Sequence, residues 1–192
     1  MLSHHDGVKG LLGRLGESEP IRRPPAVQRG HIGGSDRRPM ALFIDTFVNK
    51  IDSKGRVSVP ATFRAALGSQ SFAGIVALPL HKYPAIRCAG MDWMEQLSRR
   101  VNQADLFSEE QDDLTATIFG DTKQLPFDGE GRVMLPAGLA SHAGLDGVAA
   151  FVGGGPFFEI WEPKALEAHK AEARKRAIEK GRTLPPRPDE QS

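Results

Sequence analysis

The feature that most restricts the fold of this chain is an internal repeat. The stretch N-K-I-D-S-K-G-R-V-S-V-P, residues 49–60, returns as L-P-F-D-G-E-G-R-V-M-L-P, residues 125–136. The offset of 76 residues holds without a slip from Asp52/Asp128 to Gly68/Gly144. A β unit of about forty residues leaves an apolar face that it cannot bury alone. The repeat therefore predicts two like units that pack together about a pseudo-twofold axis.

The Asp-x-x-Gly motif in each copy predicts a tight turn at the tip of a hairpin. Asp52 and Asp128 can accept hydrogen bonds from backbone amides two residues on, and Gly55 and Gly131 tolerate the positive φ that such turns need. A strand follows the turn, and a proline ends it because proline cannot donate to a ladder. We expect each copy to be a hairpin tip.

A short helix, two strands and a longer helix should follow each turn. In the short helices, the apolar pairs Phe63/Leu67 and Leu139/Ala143 are spaced four residues apart, as on one buried helix face. The strands are predicted at residues 75–80, 85–88, 148–152 and 157–161, and the longer helices after them. The predicted class is α+β.

Composition divides the chain further. Residues 1–39 hold seven Gly, four Pro and scattered Arg with no helical or strand period, which predicts a disordered extension. Met40 is a candidate translation start, and the extension is then a start-site artefact. We expect a first repeat domain at residues 45–96, a helical linker at 97–119, a second repeat domain at 120–166, and a C-terminal helix with a loose tail at 167–192.

Charge, cysteine content and hydropathy exclude several classes of protein. The net charge is +1, so an anionic partner must be held by a local cluster of cations or by several chains together. The single Cys88 excludes an internal disulfide and fits a reducing cytoplasm. The longest apolar run, residues 72–80, is far below the ~18 residues that cross a bilayer, so we expect no membrane partner.

The two copies D-S-K-G-R-V-S-V-P-A-T-F-R and D-G-E-G-R-V-M-L-P, with the segment F-F-E-I-W-E-P and the turn A-G-L, resemble the MraZ family of bacterial transcription factors. The likeness covers residues 41–168. It implies two tandem SpoVT/AbrB-like halves of the swapped-hairpin β-barrel type, with pseudo-twofold symmetry and flanking helices. It also implies ring-shaped homo-oligomers, association with the nucleoid, and binding to direct repeats in double-stranded DNA upstream of the division and cell-wall gene cluster.

The residues themselves support DNA binding unevenly. Arginine can bind phosphate or guanine edges in a bidentate manner, lysine adds a mobile charge, and Gly55 permits close approach of the backbone. In the second copy Glu130 replaces Lys54 and Ala140 replaces Arg64, so we expect the first copy to dominate. The candidate DNA-binding residues are Lys54, Arg56, Arg64 and Arg132, and the structural turn residues are Asp52, Gly55, Asp128 and Gly131.

Other interpretations remain open at this stage. Asp52 with Arg56, and Asp128 with Arg132, could be ion pairs that brace each turn, and an arginine braced in this way would also be pre-oriented for a ligand. An antitoxin of the same superfamily would bind operator DNA too, but usually with one short copy. A catalytic aspartate dyad would need Asp-Thr-Gly or Asp-Ser-Gly in both copies, and neither is present. We expect no enzyme activity, no cofactor and no metal.

Overall fold

The computed structural model describes residues 41–101 and 109–181. These form an α+β fold, as the sequence predicts. The strands are β1 (Thr46–Lys50), β2 (Arg56–Ser58), β3 (Gly74–Pro79), β4 (Ala85–Ala89), β5 (Lys123–Pro126), β6 (Arg132–Met134), β7 (Val148–Gly153) and β8 (Phe158–Trp161). The helices are α1 (Ala61–Ala66), α2 (Met91–Val101), α3 (Glu109–Leu114), α4 (Ala137–His142) and α5 (Pro163–Glu179).

Six of these strands form one antiparallel sheet in the order β1-β7-β8-β4-β3-β5. When each strand is exchanged for its counterpart in the other repeat, β1 for β5, β3 for β7 and β4 for β8, the same order reads backwards. This palindromic order is that of two units related by a pseudo-twofold axis. The two repeats share one sheet, and residues 41–101 and 109–181 lie in one compact unit.

The remaining two strands, β2 and β6, form a separate antiparallel ribbon in which Val57 lies opposite Val133. Here the structure corrects the hairpin prediction. The strand before the first turn, β1, pairs with β7, so the hairpin is reduced to the bridge Ile51↔Val57 at its tip. The physical reason is that β2 and β6 are only three residues long, and each buries its valine by pairing with the other repeat.

The main core lies between the six-stranded sheet and the ribbon. Each repeat contributes the same kinds of side chain to it, and those of the predicted short helices are buried, as expected. Matching contributions come from Val57, Val59, Phe63 and Leu67 in the first repeat, and from Val133, Leu135, Leu139 and Ala143 in the second. The proline before each short helix, Pro60 or Pro136, is its N-cap residue.

Helices α2 and α5 cover the other face of the sheet. Met94 of α2 packs on Val76 and Ala89, whereas Leu166 of α5 packs on Ala85 and Trp161. Helix α5 begins with Pro163, and the Glu162 carboxylate accepts a hydrogen bond from the Ala165 amide at 2.7 Å. An isolated helix of this length is only marginally stable in water, and packing against the sheet stabilises both helices.

The stretch between the two repeats contains helix α3. Helix α3 continues into a π-helical turn, residues Thr115–Gly120. Two of the domain boundaries drawn from the sequence, 96/97 and 166/167, fall within the continuous helices α2 and α5. The predicted extension at residues 1–39 and the tail from Thr183 lie outside the described residues. Within residues 41–101 and 109–181, no helix is long and apolar enough to cross a membrane.

Candidate nucleic-acid interface

The first turn, Asp52 to Arg56, is closed by its aspartate. Oδ1 of Asp52 accepts hydrogen bonds from the amides of Lys54 and Arg56, both at 2.9 Å. Oδ2 of Asp52 accepts from the guanidinium of Arg56, at 2.7 Å from both Nε and Nη2. Gly55 has a φ of +78°, a conformation that glycine adopts without strain. One carboxylate therefore fixes both the backbone of the turn and the direction of its arginine.

The second turn, Asp128 to Arg132, repeats this geometry with one addition. Oδ1 of Asp128 accepts from the amides of Glu130 at 3.0 Å and Arg132 at 2.9 Å, and Oδ2 accepts from Nε of Arg132 at 2.8 Å. The added contact is an ion pair of 2.7 Å between Nη1 of Arg132 and Oε2 of Glu130. The second arginine is thus held by two carboxylates, whereas Asp52 alone forms an ion pair with Arg56 among the described residues.

These hydrogen bonds shift the pKa values of the turn residues. The amide of Arg56, followed by its guanidinium, lowers the pKa of Asp52 from 3.8 to about 2. The amide and then the guanidinium of Arg132 lower the pKa of Asp128 in the same way. The pKa of Arg132 is raised, chiefly by its hydrogen bond to Asp128, with smaller contributions from the charges of Glu130 and Asp52. Both aspartates are therefore ionised at neutral pH.

The two turns flank the β2–β6 ribbon, which has one buried face and one outer face. Val57 and Val133 point into the core, with exposed fractions of 0% and 1%. Because side chains alternate along a strand, their neighbours share the opposite face. We call this surface the ribbon face; its residues are Arg56, Ser58, Arg132 and Met134. The two arginines are 31% and 24% exposed, so each is partly packed and partly open to solvent.

The ribbon also joins the two turns to each other. The Gly55 carbonyl accepts a hydrogen bond from the Leu135 amide at 2.9 Å, and the Gly131 carbonyl accepts one from the Val59 amide at 3.2 Å. In each case the turn of one repeat is bonded to the strand that leaves the turn of the other. Lys54 is exposed at the tip of the first turn. The two turns and the ribbon therefore form one hydrogen-bonded, continuous surface.

Arg64 lies on α1 of the first repeat but reaches the turn of the second. Its Nε donates a hydrogen bond to the Val59 carbonyl at 3.1 Å. Its guanidinium lies so close to Gly131 that a Cβ atom on that glycine would overlap it. The equivalent residue in the second repeat is Ala140, so the first turn receives no such cation. A groove of about 290 Å³ lies beside Arg64, with Phe72, Phe127 and Gly129 in its lining.

The structure thus places three of the four candidate cations, Arg56, Arg64 and Arg132, at the ribbon and its turns, and Lys54 at a tip. Sequence reasoning did not identify Ser58 and Met134 as residues of the same face. The signal was present in the alternation Arg-Val-Ser and Arg-Val-Met, with the valine buried in both copies. Among the described residues, no group of His, Cys, Asp and Glu could hold a metal ion.

The fold and the site together define a class: two interlocked α+β repeats whose Asp-x-x-Gly-Arg turns flank a shared two-stranded ribbon. Comparison with known proteins agrees with this class. The profile of a family described as "MraZ protein, putative antitoxin-like" matches residues 118–184. A protein of Rickettsia bellii named "Transcriptional regulator MraZ" is 47% identical over 146 residues, which are 76% of this chain and 97% of the relative.

Further relatives have the same name. The proteins of Rickettsia canadensis and Rickettsia akari are 45% and 44% identical over 145 residues, again 76% of this chain and 97% of each relative. The matched length covers nearly all of each relative. The chain belongs to the MraZ family.

Proposed function

We propose that this protein is a transcriptional regulator that binds double-stranded DNA through the ribbon face and the two turns beside it. The observation that carries the proposal is the fixing of Arg56 and Arg132 by aspartates on an exposed two-stranded ribbon. A two-stranded ribbon fits the major groove, and an arginine held in one direction loses little entropy when it binds a phosphate or a guanine edge. The relatives are named as transcriptional regulators.

The SpoVT/AbrB-like assignment is part of this proposal. Its support is the strand exchange between repeats: β1 of the first pairs with β7 of the second, and β5 of the second pairs with β3 of the first. Exchange of this kind is what a swapped-hairpin fold requires. The proposed repeat domains are residues 45–96 and 120–166.

The target is proposed to be direct repeats upstream of the division and cell-wall gene cluster, with the protein associated with the nucleoid in the cytoplasm. The two turns are unequal, because the charges of Asp52, Lys54 and Arg56 sum to +1 and those of Asp128, Glu130 and Arg132 sum to −1. A surface with unequal ends has a direction on DNA. Such a surface suits sites that repeat head to tail better than inverted sites.

Assembly into a homo-oligomeric ring is the second part of the proposal. One chain offers few cations, and several chains matched to repeated sites would gain affinity through effective concentration. Strand β1 is an edge of the sheet, and the segment around it exposes an apolar stripe of Leu42, Ile44 and Val48, at 66%, 67% and 59%. An exposed apolar edge favours association with another chain.

The aspartates argue against the alternative of an aspartate dyad. A dyad shares one proton between two carboxyl groups, which requires one pKa to be raised. The pKa values of Asp52 and Asp128 are both lowered, and the oxygens of both residues are occupied by amides and a guanidinium. We propose no enzymatic activity for this chain. An antitoxin-like role is a second candidate, supported by the description of the family as antitoxin-like.

Footprinting on DNA upstream of the protein's own gene tests the DNA-binding proposal. We expect Arg56→Ala to weaken protection by about tenfold or more, because it removes one bidentate contact. Arg99→Ala is the matched control, since Arg99 is 76% exposed on α2, which covers the opposite face of the sheet. Equal protection by wild type and Arg56→Ala would remove the first turn from the interface.

A second experiment tests assembly. We expect Ile44→Asp to yield smaller particles by native mass spectrometry and to lose promoter binding while the chain stays folded. Ile178→Asp is the control, because it makes the same substitution at another exposed isoleucine, which lies on α5 and is 81% exposed. Full promoter affinity in a monomeric Ile44→Asp protein would contradict the role of the ring.

A further inference from the structure

We propose that Glu130 masks Arg132: through its ion pair with this arginine, it weakens the contact of the second turn with DNA and makes the first turn the dominant one of each chain. The inference rests on the DNA-binding function proposed above. It starts from a difference between otherwise matched turns. Lys54 at the tip of the first turn becomes Glu130 at the tip of the second, while Asp, Gly and Arg stay in register.

The position of the Glu130 carboxylate gives the inference its physical basis. Arg132 is held at two separate sites, Nε by Asp128 and Nη1 by Glu130. In the first turn, Asp52 holds Nε and Nη2 of Arg56 through a single oxygen. A bidentate contact to a phosphate or a guanine needs two neighbouring donors on one side of the guanidinium. Glu130 occupies a donor that a phosphate would otherwise use.

Charge and exposure act in the same direction. Glu130 is 71% exposed, and its carboxylate lies 2.7 Å from Nη1 of Arg132, so a phosphate that approaches this arginine from solvent comes close to it. The approaching phosphate would meet a like charge and would have to displace it. Arg132 is also slightly less exposed than Arg56. The second turn is therefore masked by its own side chain, and the first is open.

The masking is moderate because the ion pair is exposed. Exposed ion pairs contribute little free energy, so removing this one should tighten DNA binding by about two- to fivefold. The salt dependence gives a more specific readout. If Arg132 then neutralises one further phosphate, the slope of log K against log[salt] should steepen by about 0.9. A purely structural role of Glu130 would leave that slope unchanged.

The experiment measures binding of the full chain to a short duplex of mixed sequence and to its own upstream DNA, over a range of salt concentrations. The variants are Glu130→Gln and its matched control Glu167→Gln. Glu167 is 72% exposed on α5 and lies 4.0 Å from Lys170, so the control removes the same charge at the same exposure. We expect tighter binding and a steeper slope for Glu130→Gln alone.

A coupling cycle with Arg132→Ala shows whether Glu130 acts through Arg132. We expect Arg132→Ala to weaken binding less than Arg56→Ala does in the wild type, and to abolish the gain in the Glu130→Gln background. Equal binding by wild type and Glu130→Gln overturns the inference and leaves the proposed function standing. An equal gain in both glutamine variants also overturns it, because bulk charge then explains the effect. No DNA binding by any variant at low salt overturns the inference and the proposed function together.

Discussion

At the scale of the residue, Asp52 and Asp128 set the character of the site. Each carboxylate accepts two backbone amides and one guanidinium, so bracing of the turn and orientation of the arginine are one arrangement. The sequence predicted this part well. The hydrogen bonds of the aspartate and the positive φ of Gly55 depend on neighbouring residues alone, so the Asp-x-x-Gly motif is enough to predict them.

The lowered pKa of Asp52 gives an acid dependence with a definite sign. Its pKa is about 2 in the folded chain, against 3.8 ordinarily, so the ionised form is the one that folding favours. The contribution to stability is fully present above about pH 4 and is lost as the pH falls toward 2. We expect Asp52→Asn to be less stable than wild type at neutral pH and to show a smaller loss between pH 4 and 2. Urea unfolding across this range measures both quantities, and parallel curves for the two proteins would contradict the assignment.

The two turn glycines offer a matched comparison. Alanine at Gly55 or Gly131 must adopt a positive φ, which costs about 1–2 kcal/mol in either place. A Cβ at Gly55 meets only ordinary contacts, whereas one at Gly131 must displace Arg64. We therefore expect Gly131→Ala to lower the free energy of unfolding by more than Gly55→Ala. Chemical denaturation measures the difference.

The control for this comparison is the same pair of substitutions in an Arg64→Ala background. Without the Arg64 side chain, the excess cost at Gly131 should disappear, and the two glycine substitutions should become equal. An excess that persists in this background would mean that contact with the Arg64 side chain is not its cause.

At the scale of the element, the sequence predicted the strands and helices but not which strands pair. Periodicity tells which side of a strand is buried, and both Val57 and Val133 have the buried pattern. The choice of β6 as the partner of β2, instead of β1, depends on residues far apart in the chain, and no local pattern records it. The alternation places Ser58 and Met134 on the side of each strand opposite the buried valine, but the register is needed to show that the two residues share one face.

The packing of the two buried valines should stabilise the ribbon and, with it, the two turns beside the ribbon. We expect Val57→Ala and Val133→Ala each to lower the free energy of unfolding by about 2 kcal/mol, because each leaves a cavity in the core that the two repeats share. Since these residues lie directly opposite each other, the double variant should depart from the sum of the single effects. Urea unfolding with Ser58→Ala as the exposed control measures this. A cost for Val57→Ala as small as that of the control would show that the ribbon is held by other contacts.

At the scale of the whole molecule, the chain combines a symmetric frame with an asymmetric surface. The palindromic strand order and the matched core contributions follow from the repeat. The exceptions lie outside the buried core: the exposed Lys54 corresponds to Glu130 in the second repeat, and the half-buried Arg64 corresponds to Ala140. Burial restricts what a core position can accept, whereas an exposed position is free to diverge. This separation lets one fold keep its packing while its two turns acquire different charges.

The same interlocking has a consequence for the repeats taken separately. Strand β1 has β7 as its sheet partner, and β5 has β3, so each repeat lacks a partner strand and half of the core when it is alone. We expect a fragment of residues 41–101 to have no cooperatively folded monomer, and the same for a fragment of residues 109–181. An equimolar mixture should regain a cooperative thermal transition, measured by circular dichroism, with both fragments in one particle by analytical ultracentrifugation. The unbroken chain is the reference. If either fragment melts cooperatively as a monomer, the exchanged strands are dispensable, and the repeats are independent domains that happen to touch.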